Sequence, residues 1–305
     1  MDKLITILQT ALPVFLALGV GVFARKTQFL TRDSIDAMKK LVINITLPFV
    51  LLSAFASADY NKAALVLPTM VFVLCCVALA LGFVVLRLCK VKSRLAPFLA
   101  SGFEAGMLGY SLFVLLFPNE SVSTFAVLDL GQTLFVFTLF KILLSGKTDF
   151  KAIAKDMVTS PILWAVFAGV ILGVTGAYQV PNVGKLLDAT CDFLSAPTGM
   201  VILLTVGYDL VLGEIPWGKT IGYIAMRLGI MAVILGAMVL LNRTILNGMM
   251  FEGAALLMVI LPPPYVIPVF ADEPSERVSI SSALSAMTVV SLLLFAALSV
   301  VIGLR

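Results

Sequence analysis

Residues 251–271, FEGAALLMVILPPPYVIPVFA, constrain the fold more than any other stretch of the chain. The 19 uncharged residues from 253 to 271 suffice for one crossing of a lipid bilayer, yet Pro262, Pro263 and Pro264 stand in their midst. Consecutive prolines cannot continue a helix. Each removes an amide donor, and each ring after the first drives the residue before it out of helical angles. The carbonyls of the preceding turn then lose their partners, and unpaired backbone is tolerated at membrane depth only inside protein or beside a water-filled cavity. A short helix followed by an exposed proline-rich loop would carry polar turn residues, whereas YVIPVFA stays apolar up to Asp272. The expectation is two half-helices meeting near the membrane centre, as in the midplane sites of secondary transporters.

The rest of the chain has the composition of an all-α integral membrane protein. It is 61% hydrophobic and 12% charged, with a mean hydropathy of +1.10. Charge-free runs recur at 4–24, 41–58, 63–86 and 278–304, each long enough to cross hydrocarbon as a helix. The first is read as a helix and not as a signal peptide, because its basic cluster follows the apolar run. Cys75, Cys76, Cys89 and Cys191 lie in or at the edge of apolar runs without metal-ligand spacing, so neither a disulfide nor a metal site is expected. There is no histidine, the commonest metal ligand and the side chain best suited to proton shuttling. The absence of a GxxxxGK[ST] loop speaks against direct use of ATP, and no cofactor is expected. The net charge of +4 comes from loops and bears on topology, not on nucleic acid.

Ten spans are expected, near 4–24, 35–57, 63–86, 95–117, 121–143, 160–178, 186–212, 219–241, 251–271 and 276–304. On one side of the membrane they leave fourteen basic residues, including Arg25, Lys26, Arg32, Lys39 and Lys40, against five on the other. Positive residues collect in the cytoplasm, which places both termini outside the cell membrane. The two halves echo each other. LPFVLLSAF from Leu47 answers APTGMVILL from Ala196, Phe103-Glu104 recurs as Phe251-Glu252, and GYSLFVLLFPNES from Gly109 recurs as PYVIPVFADEPSE from Pro264. Five spans per half force the second copy to be inverted. The expected organisation is a first repeat over 1–146, a short cytoplasmic linker over 147–157 and a second, inverted repeat over 158–305.

By that symmetry span 4 breaks where span 9 does. It carries Gly102, Gly106 and Gly109 in a short window, which permits close backbone approach, with Glu104 among them. Glycine-mediated helix packing is the structural alternative. A carboxylate inside a span is costly and faces a cavity or a partner, so Glu104 and Asp129 are candidate proton carriers. Half-helices beginning near Tyr110 and Tyr265 would aim free amides and partial positive charge at the midplane, a setting for an anion. The candidate binding set is therefore Glu104, Gly106, Gly109, Tyr110, Ser111, Pro262, Pro263, Pro264 and Tyr265. Asp129 and Arg227 join Glu104 for coupling or charge pairing. Packing is the alternative role for the tyrosines, and snorkelling to the surface the alternative for Arg227.

These residues resemble the auxin efflux carriers, the plant PIN-formed exporters and their bacterial relatives known as malate or malonate permeases. LVINITLPFVLLSAF from Leu41 is similar to the family's second helix, FLSAPTGMVILLTVGYDL to the seventh, and LPPPYVIPVFADE from Leu261 to the ninth. The resemblance implies a ten-helix inverted-repeat fold shared with bile acid symporters. It implies broken helices 4 and 9 crossing at the substrate site, with helices 1, 2, 6 and 7 as a scaffold that can form a homodimer. The chain departs from the family at Glu104, where asparagine is usual, and at Ser111, where proline is usual. An anionic Glu104 beside a carboxylate solute would be repulsive unless it is protonated, is paired with a cation, or belongs to a carrier of a different solute.

The expected activity is secondary transport of a small organic anion, such as malate, malonate or an auxin-like acid, by alternating access. Two other classes compete. A membrane sensor of the same fold would bind without translocating, and an intramembrane enzyme would use Glu104 and Asp129 as acid and base, although no nucleophile motif supports it.

Overall fold

In the computed structural model of the protein, residues 2–58, 63–145, 158–210, 217–270 and 273–303 are described, and among them the secondary structure is helical without a strand. The helices are α1 (Asp2–Thr27), α2 (Arg32–Ala56), α3 (Ala63–Leu88), α4 (Tyr110–Leu116), α5 (Val122–Leu144), α6 (Pro161–Val174), α7 (Pro181–Asp209), α8 (Trp217–Thr244), α9 (Glu252–Ile260) and α10 (Pro274–Gly303). Among the described residues, six stretches, in α2, α3, α5, α7, α8 and α10, are long and apolar enough to cross a bilayer. The linker expected at 147–157 lies outside the described residues.

Local chemistry sets where these helices start and bend. Thr31 caps α2, its hydroxyl accepting the amide of Ser34 at 3.2 Å, and Pro161 and Pro181 occupy the first turns of α6 and α7, where a missing amide costs nothing. Inside α2 a π turn over Val42–Thr46 precedes Pro48. The proline has no amide to give, and its ring crowds the turn before it, so the ladder widens there. α7 steps at Ala196 and Pro197 for the same reason.

α1 packs along α7, and α2 along α6. At the first contact Gly21 faces the Leu204 carbonyl and Gly207 faces the Leu18 carbonyl, with no room for a side chain at either position. α3 packs on α5, and the aromatic centre of the core lies nearby. There Phe98 and Phe140 meet edge to face with ring centroids 5.2 Å apart, and Phe140 lies 5.5 Å from the fully buried Phe135.

Two segments at the positions of spans 4 and 9 are not continuous helices. In the first, a 3-10 stretch over Ala96–Ala100 gives way to irregular backbone at 101–104, and a π turn over Ala105–Gly109 then leads into α4. In the second, α9 ends at Ile260, the prolines follow in extended conformation, and the chain resumes as a 3-10 turn over Ile267–Phe270. The first piece reaches α-helix at Tyr110, as expected, through the π turn, whereas the second differs from the half-helix expected near Tyr265. Helix resumes at Ala105, a turn earlier, because Gly102 takes the left-handed φ of +70° and makes the break there, leaving Gly106 and Gly109 inside the following turn. After Tyr265 there is a short turn, so isolated amides replace a helix dipole.

The interruptions touch. The Glu104 amide donates to the Pro262 carbonyl at 2.9 Å, and a Cβ on Gly102 would stand 2.8 Å from the Pro264 ring. Arg227 of α8 binds both segments. Its guanidinium, in a residue only 4% exposed, donates to the carbonyls of Leu99 at 2.9 Å, Gly102 at 2.9 Å and Leu261 at 2.7 Å, and it lies over the Phe103 ring. These are carbonyls that the departing chain leaves without helical partners. Gln132 of α5 adds a fourth tie, its Nε2 donating to the Phe103 carbonyl at 2.7 Å.

Arg227→Leu strands three buried acceptors and is expected to lower stability by at least about 3 kcal/mol, at roughly 1–3 kcal/mol for each unsatisfied group. Arg227→Lys should recover only part of it, since one ammonium lacks the planar fork that spans both segments. Thermal unfolding in detergent reads both, and wild-type melting of the leucine variant would refute the clamp. Gly102→Ala is expected to destabilise as well, because it adds the contact with Pro264 to the strain of a positive φ.

Candidate functional site

A cavity of about 760 Å³ opens against the two interruptions. Phe103, Glu104, Gly106, Pro264 and Tyr265 supply its centre. α5 contributes Asp129, Gln132 and Thr133, α2 contributes Leu47 and Leu51, and α10 contributes Ser281, Ser285 and Thr288. At its other end stand Arg32, Lys39 and Asp209. A second cavity, of about 900 Å³, lies among helix ends near Lys92, Arg94, Lys219, Glu273 and Glu276. It is larger, but neither interruption reaches it.

Glu104 is the central acid. Its Oε2 accepts the amide of Tyr265 at 2.7 Å, the first amide after the three prolines. The Tyr265 phenol pairs with the Thr288 hydroxyl at 3.0 Å, which fixes the ring at the cavity wall. Behind it, Asp129 is 5% exposed, and its Oδ2 accepts the Tyr110 phenol at 2.9 Å.

The basic residues at the other end are already engaged. Arg32 Nη1 binds one oxygen of Asp209 at 2.6 Å, Lys39 binds the other, and Arg25 donates to the Leu210 carbonyl at 3.0 Å. The end of α1 and the first part of α2 are thus tied to the end of α7.

Of the residues singled out in the sequence, the structure brings Glu104, Gly106, Pro264, Tyr265 and Asp129 to this cavity. Gly109, Tyr110, Ser111, Pro262, Pro263 and Arg227 are placed elsewhere. Tyr110 is buried with its hydroxyl on Asp129, and its ring meets Phe125 edge to face. Ser111 faces Gly199 of α7, Gly109 packs under Leu261 and Phe125, and Arg227 stands on backbone carbonyls. Pro262 and Pro263 are buried, the former holding the Glu104 amide.

The wall also contains residues that the sequence reading does not single out as binding residues. Ser281, Ser285 and Thr288 recur at spacings of four and three, so the face of α10 turned to the cavity offers hydroxyls. That spacing is visible in the sequence. Among the described residues no group of three or more His, Cys, Asp or Glu is placed to hold a metal.

No curated protein matches the chain. A family model described as membrane transport protein matches residues 6–159, which cover α1 to α5 and the first interruption. The match spans half of the chain, and with the apolar helices and the touching interruptions it fixes the class: the chain belongs to this family of multi-pass membrane transport proteins, the auxin efflux carrier group.

Proposed function

We propose that the chain is a secondary transporter of small organic anions that works by alternating access, with the interrupted segments crossing at its solute site. The observation that carries this reading is the Glu104 carboxylate on the Tyr265 amide at 2.7 Å. An amide released by the proline trio already holds a carboxylate, and it does so at a cavity wall. A solute carboxylate can take the same amide once Glu104 is protonated or swings away. In this reading Glu104 keeps the anion position filled between solutes, which accounts for an acid where the family usually has asparagine.

A five-plus-five inverted repeat over 1–146 and 158–305 is supported by which helices pair. Sending each helix to the one five further on exchanges the α1–α7 contact with the α2–α6 contact, and the α3–α5 contact with the α8–α10 contact. Under this plan both termini lie outside the cytoplasm of the cell membrane, because the loops holding Arg25, Arg32, Lys92 and Arg94 are on the inner side.

A second reading has one observation in its favour: Glu104 and Asp129 both line the cavity, and Arg227 is committed to carbonyls. A cationic solute would suit that lining.

Binding to purified protein separates the two. Carboxylates are expected to bind in preference to their amides, and Glu104→Gln should tighten carboxylate binding by about tenfold, near 1.4 kcal/mol, by removing a like charge. The same variant should make uptake into proteoliposomes independent of pH. Equal affinity for acids and amides would defeat the anion reading, and preference for organic amines would establish the cationic one. For the topology, a reporter active only outside the cytoplasm should work when fused after Arg305, and silence there with activity in the 90–94 loop would reverse it.

A further inference from the structure

Two buried oxygens at the inner wall of the cavity lack a partner. Asp129 uses Oδ2 for the Tyr110 phenol, while its Oδ1 has no hydrogen-bond partner among the described residues. One turn on, Gln132 is 6% exposed, and its Nε2 donates to the Phe103 carbonyl. That carbonyl can only accept, so the amide cannot be turned over, and Oε1 is the atom left without a donor. Thr133 and Gln132 flank the Asp129 carboxylate without making a well-formed hydrogen bond to Oδ1. The three residues stand at i, i+3 and i+4 of α5, which is one face of the helix, and all three line the cavity.

Buried acceptors are satisfied in folded proteins, and a buried carboxylate is also paired with positive charge. The cations of this chain near the cavity are engaged elsewhere: Arg227 with three carbonyls, and Arg32 and Lys39 with Asp209. The amide nearest the break, that of Tyr265, is held by Glu104. No described residue supplies a partner to Asp129 Oδ1 or Gln132 Oε1, and a positively charged ligand from outside the chain would suit both. One carboxylate calls for one such charge, which disfavours a divalent ion, and carboxylate, amide carbonyl and hydroxyl are hard oxygen ligands.

We propose that Asp129 Oδ1, Gln132 Oε1 and the Thr133 hydroxyl bind a monovalent metal cation of the sodium class. The ion site deepens the transport reading of the same cavity, on which it rests, by supplying a coupling ion. It lies on α5 behind the interruptions, so a bound cation lowers the negative charge that a solute carboxylate meets beside Glu104.

The test is equilibrium binding of radiolabelled sodium to the purified full-length protein in lipid nanodiscs, without organic acid, at constant ionic strength balanced with N-methyl-D-glucamine. Saturable binding is expected. Asp129→Asn, which keeps an acceptor for Tyr110, should weaken it by about tenfold or more, and Gln132→Leu by a comparable factor. Sodium should also raise the melting temperature of the wild type, and this rise should vanish in Asp129→Asn, which distinguishes ligand loss from misfolding. No saturable sodium binding by the wild type, with melting that responds to pH and not to sodium, overturns the proposal and puts a proton on Asp129 instead. Because the assay contains no solute, its failure leaves the carboxylate-against-amide comparison intact, and failure of that comparison leaves sodium binding intact.

Discussion

The structure depends on one side chain meeting a debt that two broken helices create. Backbone carbonyls in hydrocarbon have no water to turn to, so each break in a span requires donors from within the protein. Arg227 supplies them to both breaks at once. A planar fork with five N–H donors can address carbonyls on two segments from a third helix, which a lysine cannot do. Burying a guanidinium without an acid beside it is costly, and three carbonyl dipoles with the face of Phe103 are what offset it here. The arrangement is better understood as fixing geometry than as adding net stability.

That commitment shapes the cavity. With Arg227 bound to Leu99, Gly102 and Leu261, the described cations that line the cavity, Arg32 and Lys39, stand on Asp209 away from the breaks, and the character beside the breaks is set by Glu104, Asp129, Gln132 and the α10 hydroxyls. It also sets what can move with what. Any rearrangement that opens the cavity must carry α8 together with both interruptions or break these three bonds. The α1–α7 contact is of another kind: Gly21 and Gly207 lay backbone against backbone along it, and Arg25 ties only its end, to the Leu210 carbonyl.

Much of this was legible in the sequence where the chemistry is local. Three prolines in an apolar run announce a break, and Glu104 between glycines announces a second one, because each rule concerns the residue's own backbone. Placement within the break was less legible. Gly102, Gly106 and Gly109 are equivalent on paper, and only packing against Pro264 selects Gly102 for the left-handed turn. Arg227 shows the limit more clearly. Its partners are main-chain carbonyls, which have no signature in sequence, so an acid or a solute was the natural guess. Tyr110 and Ser111 sit beside the break in sequence, but the π turn over Ala105–Gly109 rotates them away, toward Asp129 and Gly199.

A broken helix releases two kinds of group, and the protein treats them differently. Carbonyls are freed on the N-terminal side of each break and amides on the C-terminal side. The carbonyls are closed off by Arg227, which is itself buried and always charged, so that half of the break is permanent. The Tyr265 amide is met by Glu104, whose side chain lines the cavity and whose charge depends on a proton. A carboxylate that can be neutralised or displaced is an exchangeable partner where a guanidinium is not. The proposed transport therefore rests on the donor half of the break: the chain seals its free acceptors with a cation it cannot release and leaves its free donor to an anion that, in that proposal, a solute carboxylate replaces.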